Sequence, residues 1–379
     1  MKFQRLVLSL SLVASFVSTA AIAGKDEYIS CVQKQLTALG HAPGPVNGRI
    51  TQQTKNAFLQ LQASHTNKPA LAALPKLKKM TAVSYCREIG AAFPKARALM
   101  PSQTPFAVRS DGGAGGQQVK LLRTSFTLTE RFFEQRYGIV PASRVDIAGS
   151  YDRAKLADYT VELMKLRGAS LGGVKKVIED ICGELQNRYG GVAYQNQLLL
   201  CWPHSKSYGA AWFNKVKPWV AGIMAHEYMH HIQRELGNVK ADGGYGSRNR
   251  RILGPLWMVE GTAEVVQQDF LTRQMRIKMP SLSKLQKKSM VIQKPLSNMK
   301  NSGSMSSYKE YQVAHFAVHL LSERYGKAKM FEYWRAIGQG NNWEKAFQKT
   351  YGMSLRQYEA MYETLRRDAG AAGRFAKGG

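Results

Sequence analysis

Apolar residues recur every three or four positions in several parts of this chain, the spacing that places side chains on one face of a helix. Between residues 27 and about 95, the pattern predicts short helices joined by turns. The second helix begins near Thr51, a residue type that caps helix N-termini, and carries Ala57, Phe58 and Leu61 at helical spacing. We therefore expect a small helical domain near the start of the chain.

Two longer helices are predicted in the second half of the chain, at residues 216–236 and 255–270. Pro218 and Pro255 suit the first turn of each, where a backbone N–H has no helical partner to lose. Gly237 favours the end of the first one. The region is therefore expected to be mainly helical.

Strand-like runs are fewer. They occur at residues 144–147 and 197–201, and a further helical run covers 171–185. This mixture predicts the α+β class. A stretch rich in proline, glycine and serine at 101–118 indicates a flexible linker, and residues 369–379 indicate a disordered basic tail.

The first 23 residues have the pattern of a secretory signal peptide. Lys2 and Arg5 precede an apolar run that ends in small residues at 21–23. The run is too short to favour a permanent membrane span. We expect an exported protein, in the periplasm or outside the cell, with a helical module at 24–100 and a main domain at 119–368.

Composition adds a large excess of positive charge. Lys and Arg total 54 against 26 Asp and Glu, a formal charge of +28, and 44% of the residues are hydrophobic. The apolar content excludes an intrinsically disordered chain. The charge predicts an anionic partner, and export favours peptidoglycan or another anionic envelope polymer over nucleic acid. Residues 270–309 hold nine Lys or Arg and no acid, which indicates either a solvated loop or a contact with an acidic polymer.

Four cysteines, an even number, suit an oxidising compartment. They are Cys31, Cys86, Cys182 and Cys201. None of them forms a CxxC element, the spacing typical of metal and redox sites. We favour the pairs Cys31 with Cys86 and Cys182 with Cys201, because each pair stays within one predicted domain. Buried free thiols are the alternative.

The helix at 216–236 contains HEYMH, with His226 and His230 one turn apart. Residues at i and i+4 share a helix face, so both imidazoles can bind one ion, and Zn²⁺ suits such a pair. Glu227 is placed to take a proton from a water beside the ion without binding the ion itself. His231 lies off this face and is expected to be exposed. Two surface histidines without a site are the alternative.

A candidate third ligand lies in the helix at 255–270. Glu260 and Glu264 are again at i, i+4 spacing. Catalytic zinc sites commonly combine two histidines with one carboxylate, while a further carboxylate orients a ligand imidazole through its other nitrogen. Salt bridges on a solvated face are the alternative, although the segment around Gly261 is otherwise apolar.

In these two segments the chain resembles the gluzincin metallopeptidases. Their members carry HExxH on one helix and Trp-x-x-Glu-Gly-x-Ala on the next, which Trp257, Glu260, Gly261 and Ala263 match. The resemblance implies a thermolysin- or aminopeptidase-like catalytic domain with a helical C-terminal part. It makes Glu260 the third zinc ligand and Glu264 the partner that orients His226.

The same resemblance implies that residues 189–203 include an edge strand above the zinc cleft, where an extended peptide could pair. An oxyanion stabiliser is also expected, because a metal rarely does all of that work alone. The candidates are Tyr308, Tyr311 and His315. We choose Tyr311 as catalytic, against the alternative of an aromatic packed in the core. We expect His315 and His319 to be core or helix-surface residues.

The N-terminal segment resembles a small peptidoglycan-binding module. The resemblance rests on VQKQLTALG followed by GPVNGRITQQTKNAFLQLQ, residues 32–40 and 44–62. Asn47, Ile50 and Thr51 depart from the family pattern in its loop, so the resemblance supports the fold better than it supports glycan binding. A helical spacer is the alternative.

The function expected from the sequence is that of an exported zinc-dependent metallopeptidase held at the bacterial envelope. It would hydrolyse peptide bonds in proteins or in cell-wall peptides. The alternatives are a non-catalytic envelope-binding protein with a structural or idle metal site, and simple adhesion to anionic surfaces. Glu227 favours the enzyme, since a structural site needs no carboxylate beside the water.

Overall fold

The structure is a computed structural model, and the chain divides into two compact units, Met1–Gln103 and Thr104–Gly379. The residues that the structure describes are 23–66, 77, 82–93, 106–113, 115–139, 141, 145–165, 178–179, 182, 189–239, 253–301, 305 and 307–378. The predicted signal peptide lies outside the described residues, apart from its last position, as does most of the helix predicted at 171–185.

Among its described residues, the first unit contains three helices, α1 (Ala23–Ala38), α2 (Gln52–Ser64) and α3 (Ala82–Ala92). The N-terminus of α2 is closed by a capping box in which Thr51 and Thr54 exchange hydrogen bonds. Gln33 is fully buried in α1, where its Oε1 accepts the backbone N–H groups of Asn47 and Gly48 at 3.1 Å each. One buried amide therefore holds the loop between α1 and α2.

The second unit contains a four-stranded mixed sheet in the order β1-β2-β4-β3. Strands β1, β2 and β4 are parallel, and β3 pairs antiparallel with β4 at the edge of the described sheet. The strands are β1 (Val108–Ser110), β2 (Asp146–Ser150), β3 (Gly190–Tyr194) and β4 (Gln197–Cys201). The strand predicted at 197–201 has these bounds, and β2 begins two residues later than the run at 144–147 predicted.

Helices form most of the described part of the second unit, so the chain is mixed and mainly helical, as the α+β prediction expects. The helices are α4 (Gln117–Tyr137), α5 (Arg153–Lys165), α6 (Ala210–Leu236), α7 (Leu256–Gln274), α8 (Leu282–Ser289), α9 (Tyr308–Tyr325), α10 (Ala328–Gly338), α11 (Trp343–Tyr351), α12 (Leu355–Arg367) and α13 (Ala369–Ala376). A short 3₁₀ helix covers Leu296–Asn298.

The central strands are buried on both faces. Alternate residues of β4 belong to different clusters: Leu198 and Leu200 pack in the large core with α4 and α6, whereas Leu199 packs with Leu156 of α5. This explains the continuous apolar run at 197–201, because a strand between two layers needs apolar side chains on both sides.

Three expectations about segment boundaries are wrong. Residues 101–118 are not wholly a linker, because Val108–Ser110 pairs with β2 and Asp111 is buried and accepts the Ser150 hydroxyl at 2.7 Å. The expected disordered tail forms α13, because Ala372 and Phe375 supply an apolar face that is buried. Pro218 lies inside α6, which begins at Ala210.

The basic segment at 270–309 is not a solvated loop where it is described. Leu285, Leu296 and Met299 are buried, and two of its lysines form ion pairs within the protein. Lys294 Nζ lies 2.6 Å from Glu310 Oε1, and Lys300 Nζ lies 2.8 Å from Glu359 Oε2. The apolar positions between the lysines therefore order this segment against the C-terminal helices.

Both favoured cysteine pairs are confirmed. Disulfides join Cys31 to Cys86 and Cys182 to Cys201, one in each unit. Two disulfides indicate an oxidising location outside the cytoplasm. Within the described part of the chain, no helix combines the length and apolar character needed to cross a membrane.

Candidate metal centre

Helices α6 and α7 bring His226, His230 and Glu260 together in the second unit. Glu260 Oε2 lies 3.4 Å from His226 Nε2 and 3.2 Å from His230 Nε2. One ligand atom from each of the three residues lies within 4.8 Å of the others, and all three residues are buried. This His-His-Glu group could therefore bind a metal ion.

The local sequence explains this convergence. His226 and His230 are one turn apart on α6, with ring centroids separated by 5.0 Å. Glu260 lies in the second turn of α7, and the indole of Trp257 one turn earlier donates to Glu359 at 3.1 Å. This buried hydrogen bond to α12 holds the start of α7 against the C-terminal helices.

A glutamine contacts the Nδ1 atom of each of the two histidines. Gln233 Oε1 lies 2.9 Å from His230 Nδ1, and its Nε2 donates to the Val259 carbonyl at 2.9 Å. Gln267 Oε1 lies 3.2 Å from His226 Nδ1. Neither glutamine was predicted from the sequence, although their spacing could have indicated them: Gln233 follows His230 by three residues, and Gln267 follows Glu260 by seven.

The predicted partner of His226, Glu264, lies near it but is not its closest partner. Glu264 Oε1 is 3.7 Å from His226 Nδ1, farther than the amide oxygen of Gln267. Its other oxygen is 3.8 Å from His315 Nδ1. Glu264 therefore lies between a ligand imidazole and α9.

Gly261 permits this approach of α9. A Cβ at Gly261 would overlap the Ala314 carbonyl oxygen and lie 2.6 Å from Val318 Cγ2. Because glycine has no Cβ, α7 can pack closely against α9 and bring His315 beside the site. Burial lowers the pKa of His315 to about 3, so this imidazole is neutral.

The other residues predicted around the site have mixed outcomes. Tyr308 lies at the start of α9 and is 68% exposed. Partial loss of solvation raises the pKa of its hydroxyl, and the nearby Glu264 carboxylate raises that pKa further. Tyr311 is partly buried against the large core, and its catalytic role stays a prediction. His319 is buried, which is one of the two environments expected for it. His231 is only 2% exposed, so the prediction that it is exposed was wrong.

The candidate base Glu227 is buried beneath the edge strand β3. The backbone N–H of Ala193 donates to its carboxylate, and a Cβ on Gly191 would lie 3.0 Å from Glu227 Cγ. Burial raises the pKa of Glu227, and the nearby imidazoles oppose that rise. A raised pKa makes a carboxylate a stronger base when it is ionised.

The electrostatics of the cluster fit a bound cation. Burial disfavours the charged form of His226, but Glu260, Glu227 and Glu264 outweigh it and raise its pKa to about 9. Burial also opposes ionisation of Glu260, yet the imidazoles of His230 and His226 hold its pKa well below the usual range. A divalent cation would replace the protons that balance these buried carboxylates.

In comparisons with known proteins, no family model matches this chain, and no curated protein or solved structure matches it either. The function is therefore inferred from the residues of the chain and from their geometry.

Proposed function

We propose that this protein is an exported zinc-dependent metallopeptidase of the gluzincin type. It hydrolyses peptide bonds in proteins or cell-wall peptides. The observation that supports the proposal best is the meeting of His226, His230 and Glu260 at one buried point, with the carboxylate of Glu227 beside it. Two histidines and one glutamate form a recurrent catalytic zinc set that leaves a position open.

In this mechanism, His226, His230 and Glu260 hold Zn²⁺, which supplies Lewis acidity toward the scissile carbonyl when it is bound. Glu227 removes a proton from the attacking water and transfers it to the leaving amine, so the carboxylate is regenerated in each cycle. The Ala193 N–H holds Glu227 in place for both transfers.

The edge strand supports a peptide as substrate. Strand β3 lies against α6 and pairs on one side with β4, and within the described residues no strand pairs with its other edge, where an extended chain could bind. A peptide hydrogen-bonded along that edge would run past Glu227. This arrangement is the one that the gluzincin resemblance implies.

The rest of the chain supports an envelope location. The two disulfides, the formal charge of +28 and the module-like first unit suit a protein retained among anionic polymers outside the cytoplasm. Retention of this kind would raise the local concentration of substrate.

The test combines metal content with hydrolysis. We expect about one zinc per chain in the purified protein and none in His230→Ala, because two ligands do not suffice for tight binding. Glu227→Gln should keep the metal but lose at least about a hundredfold in hydrolysis of casein or of purified wall sacculi, since the proton acceptor is gone.

Gln274→Ala, at an exposed position at the end of α7, provides the matched control and should leave both measurements unchanged. Metal binding without hydrolysis of either substrate would favour the non-catalytic envelope-binding protein. A chain that binds no metal would eliminate the proposed enzyme.

A further inference from the structure

The face of α6 that presents Glu227 extends away from the metal centre. Trp219, Ile223 and Glu227 are spaced four residues apart, so they form a row on one side of the helix. Tyr189 stacks on Trp219, with ring centroids 6.0 Å apart and planes inclined by 11°. A Cβ on Gly191 would lie 2.5 Å from Ile223 Cγ2.

Positions 189, 191 and 193 therefore face α6 in turn, because alternate residues of a strand point to the same side. The result is a continuous line of contacts between β3 and α6. It ends at Glu227 on one side, where Ala193 donates its N–H, and at the aromatic pair of Tyr189 and Trp219 on the other.

The aromatic pair lies a fixed distance from the candidate base. Eight residues of helix separate Trp219 from Glu227, which corresponds to about 12 Å at ~1.5 Å per residue. An extended peptide spans ~3.3 Å per residue. A substrate paired along β3 would thus reach the aromatic pair with a residue about four positions from the bond at Glu227.

Trp219 is unusual among the tryptophans because it is 59% exposed although its ring is stacked. Trp202, Trp257 and Trp334 are buried in the core. A large aromatic surface that is held in place and faces water binds with a small loss of side-chain entropy. Such a surface, on the same helix as the candidate base, suits ligand recognition.

We propose that Tyr189 and Trp219 form a subsite for an aromatic side chain of an extended peptide substrate, about four residues from the hydrolysed bond. The subsite rests on the proposed peptidase function and specifies its substrate class. It requires a peptide that extends at least that far to one side of the bond, so dipeptides and tripeptides are poor substrates.

Binding tests the subsite without catalysis. The full-length chain carrying Glu227→Gln is titrated with a set of ten-residue peptides, in which a single Phe is moved one position at a time through a Ser-Thr-Gln background. One position of Phe should lower Kd about tenfold relative to the peptide without Phe. The same preference should be lost in Trp219→Ala and in Trp219→Leu, because leucine keeps the apolar character but lacks a planar ring.

Leu59→Ala is the matched control, since Leu59 is also 59% exposed but lies in the first unit, and it should keep the preference. A melting curve for each variant separates lost binding from lost folding. Peptides that bind equally, or not at all, would overturn the subsite. A preference for a tetramer of N-acetylglucosamine over every Phe peptide would overturn it too, and would assign the pair to a sugar ring.

Hydrolysis by the wild-type chain separates the two proposals. If casein is cut but Phe has no preferred position in the binding series, only the subsite fails. If neither casein nor wall sacculi is cut, the peptidase fails, and the binding series in Glu227→Gln still decides the subsite.

Discussion

Gln233 illustrates how single side chains arrange the metal centre. Its Nε2 donates to the Val259 carbonyl, so its Oε1 must face His230 Nδ1. An amide oxygen only accepts, which places a proton of His230 on Nδ1, so that Nε2, which faces Glu260, can bind a cation. Because Val259 precedes Glu260, one buried amide positions ligands on two helices.

Replacing Gln233 should therefore weaken metal binding without removing a ligand. We expect Gln233→Ala to lower zinc affinity about 10- to 100-fold, measured by competition with a chromophoric chelator. Gln274→Ala should bind zinc as the wild-type chain does. An unchanged affinity in Gln233→Ala would show that the contact with His230 does not position the ligand.

At the residue scale, spacing along one helix was sufficient to identify His226, Glu227 and His230. It was insufficient for His231, which was expected to be exposed but is buried with its ring stacked on Tyr228. It was also insufficient to rank Glu264 against Gln267 as the partner of His226. Such rankings depend on side-chain distances across two helices, which periodicity does not encode.

Among the elements, β3 and α6 make a close contact near the site. Gly191 lies against Ile223 and Glu227 with no room for a side chain. The helix has little room to move, since it also packs against α4, through Tyr228 on Phe126 and Phe133, and against α7, through Gly222 on Leu271.

Gly191→Ala should consequently displace the edge strand from the helix. We expect a loss of about 1–3 kcal/mol in the free energy of unfolding from overpacking, together with a loss of hydrolysis that exceeds the loss of zinc. Denaturant unfolding, zinc content and casein hydrolysis measure the three effects. Gly209→Ala is the control, because a Cβ there meets only Ser207 Oγ, at 3.8 Å. Equal hydrolysis in the two variants would contradict this account.

For the molecule as a whole, Asp269 joins helices that are distant in sequence. The carboxylate of this α7 residue lies 2.9 Å from Lys327 Nζ and from the Tyr137 hydroxyl, and 3.2 Å from the Nε atoms of Arg136 and Arg273. Burial would raise the pKa of Asp269, but Lys327 and the other donors hold it below the ordinary value of 3.8.

This network predicts a pH dependence of stability. Because the folded pKa lies below 3.8, the contribution of Asp269 is complete above that value and disappears as the pH falls through the folded pKa. Asp269→Asn should cost about 2 kcal/mol near pH 7, since the neutral amide weakens the charge-assisted hydrogen bonds that the buried carboxylate accepts from Lys327, Arg136 and Arg273. Its difference from the wild-type chain should shrink on acidification below pH ~4.

Tryptophan fluorescence measures this unfolding in the second unit, because all six tryptophans lie within it. Asp158→Asn is the control, as an exposed aspartate on α5. A difference between Asp269→Asn and the wild-type chain that stays constant from pH 7 to pH 3 would contradict the assigned role of Asp269.

The sequence by itself determined the features that depend on local spacing: the α+β class, the paired histidines on α6, the strand at 197–201 and the preferred cysteine pairs. The class, the histidines and the strand follow from helical and strand periodicity. The cysteine pairs follow from which cysteines lie in each predicted domain. Spacing made Glu260 and Glu264 both candidates for the third ligand, and the resemblance to gluzincins chose Glu260.

Tertiary structure decided what depends on contacts between distant segments. It placed Gln233 and Gln267 behind the ligand histidines, paired Val108–Ser110 with the sheet, ordered α13 through Phe375 and held Trp219 against Tyr189. Each of these arrangements is stabilised by a partner that is remote in sequence. A pattern along the chain specifies which face of an element is apolar, whereas the partner of that face is chosen only by packing.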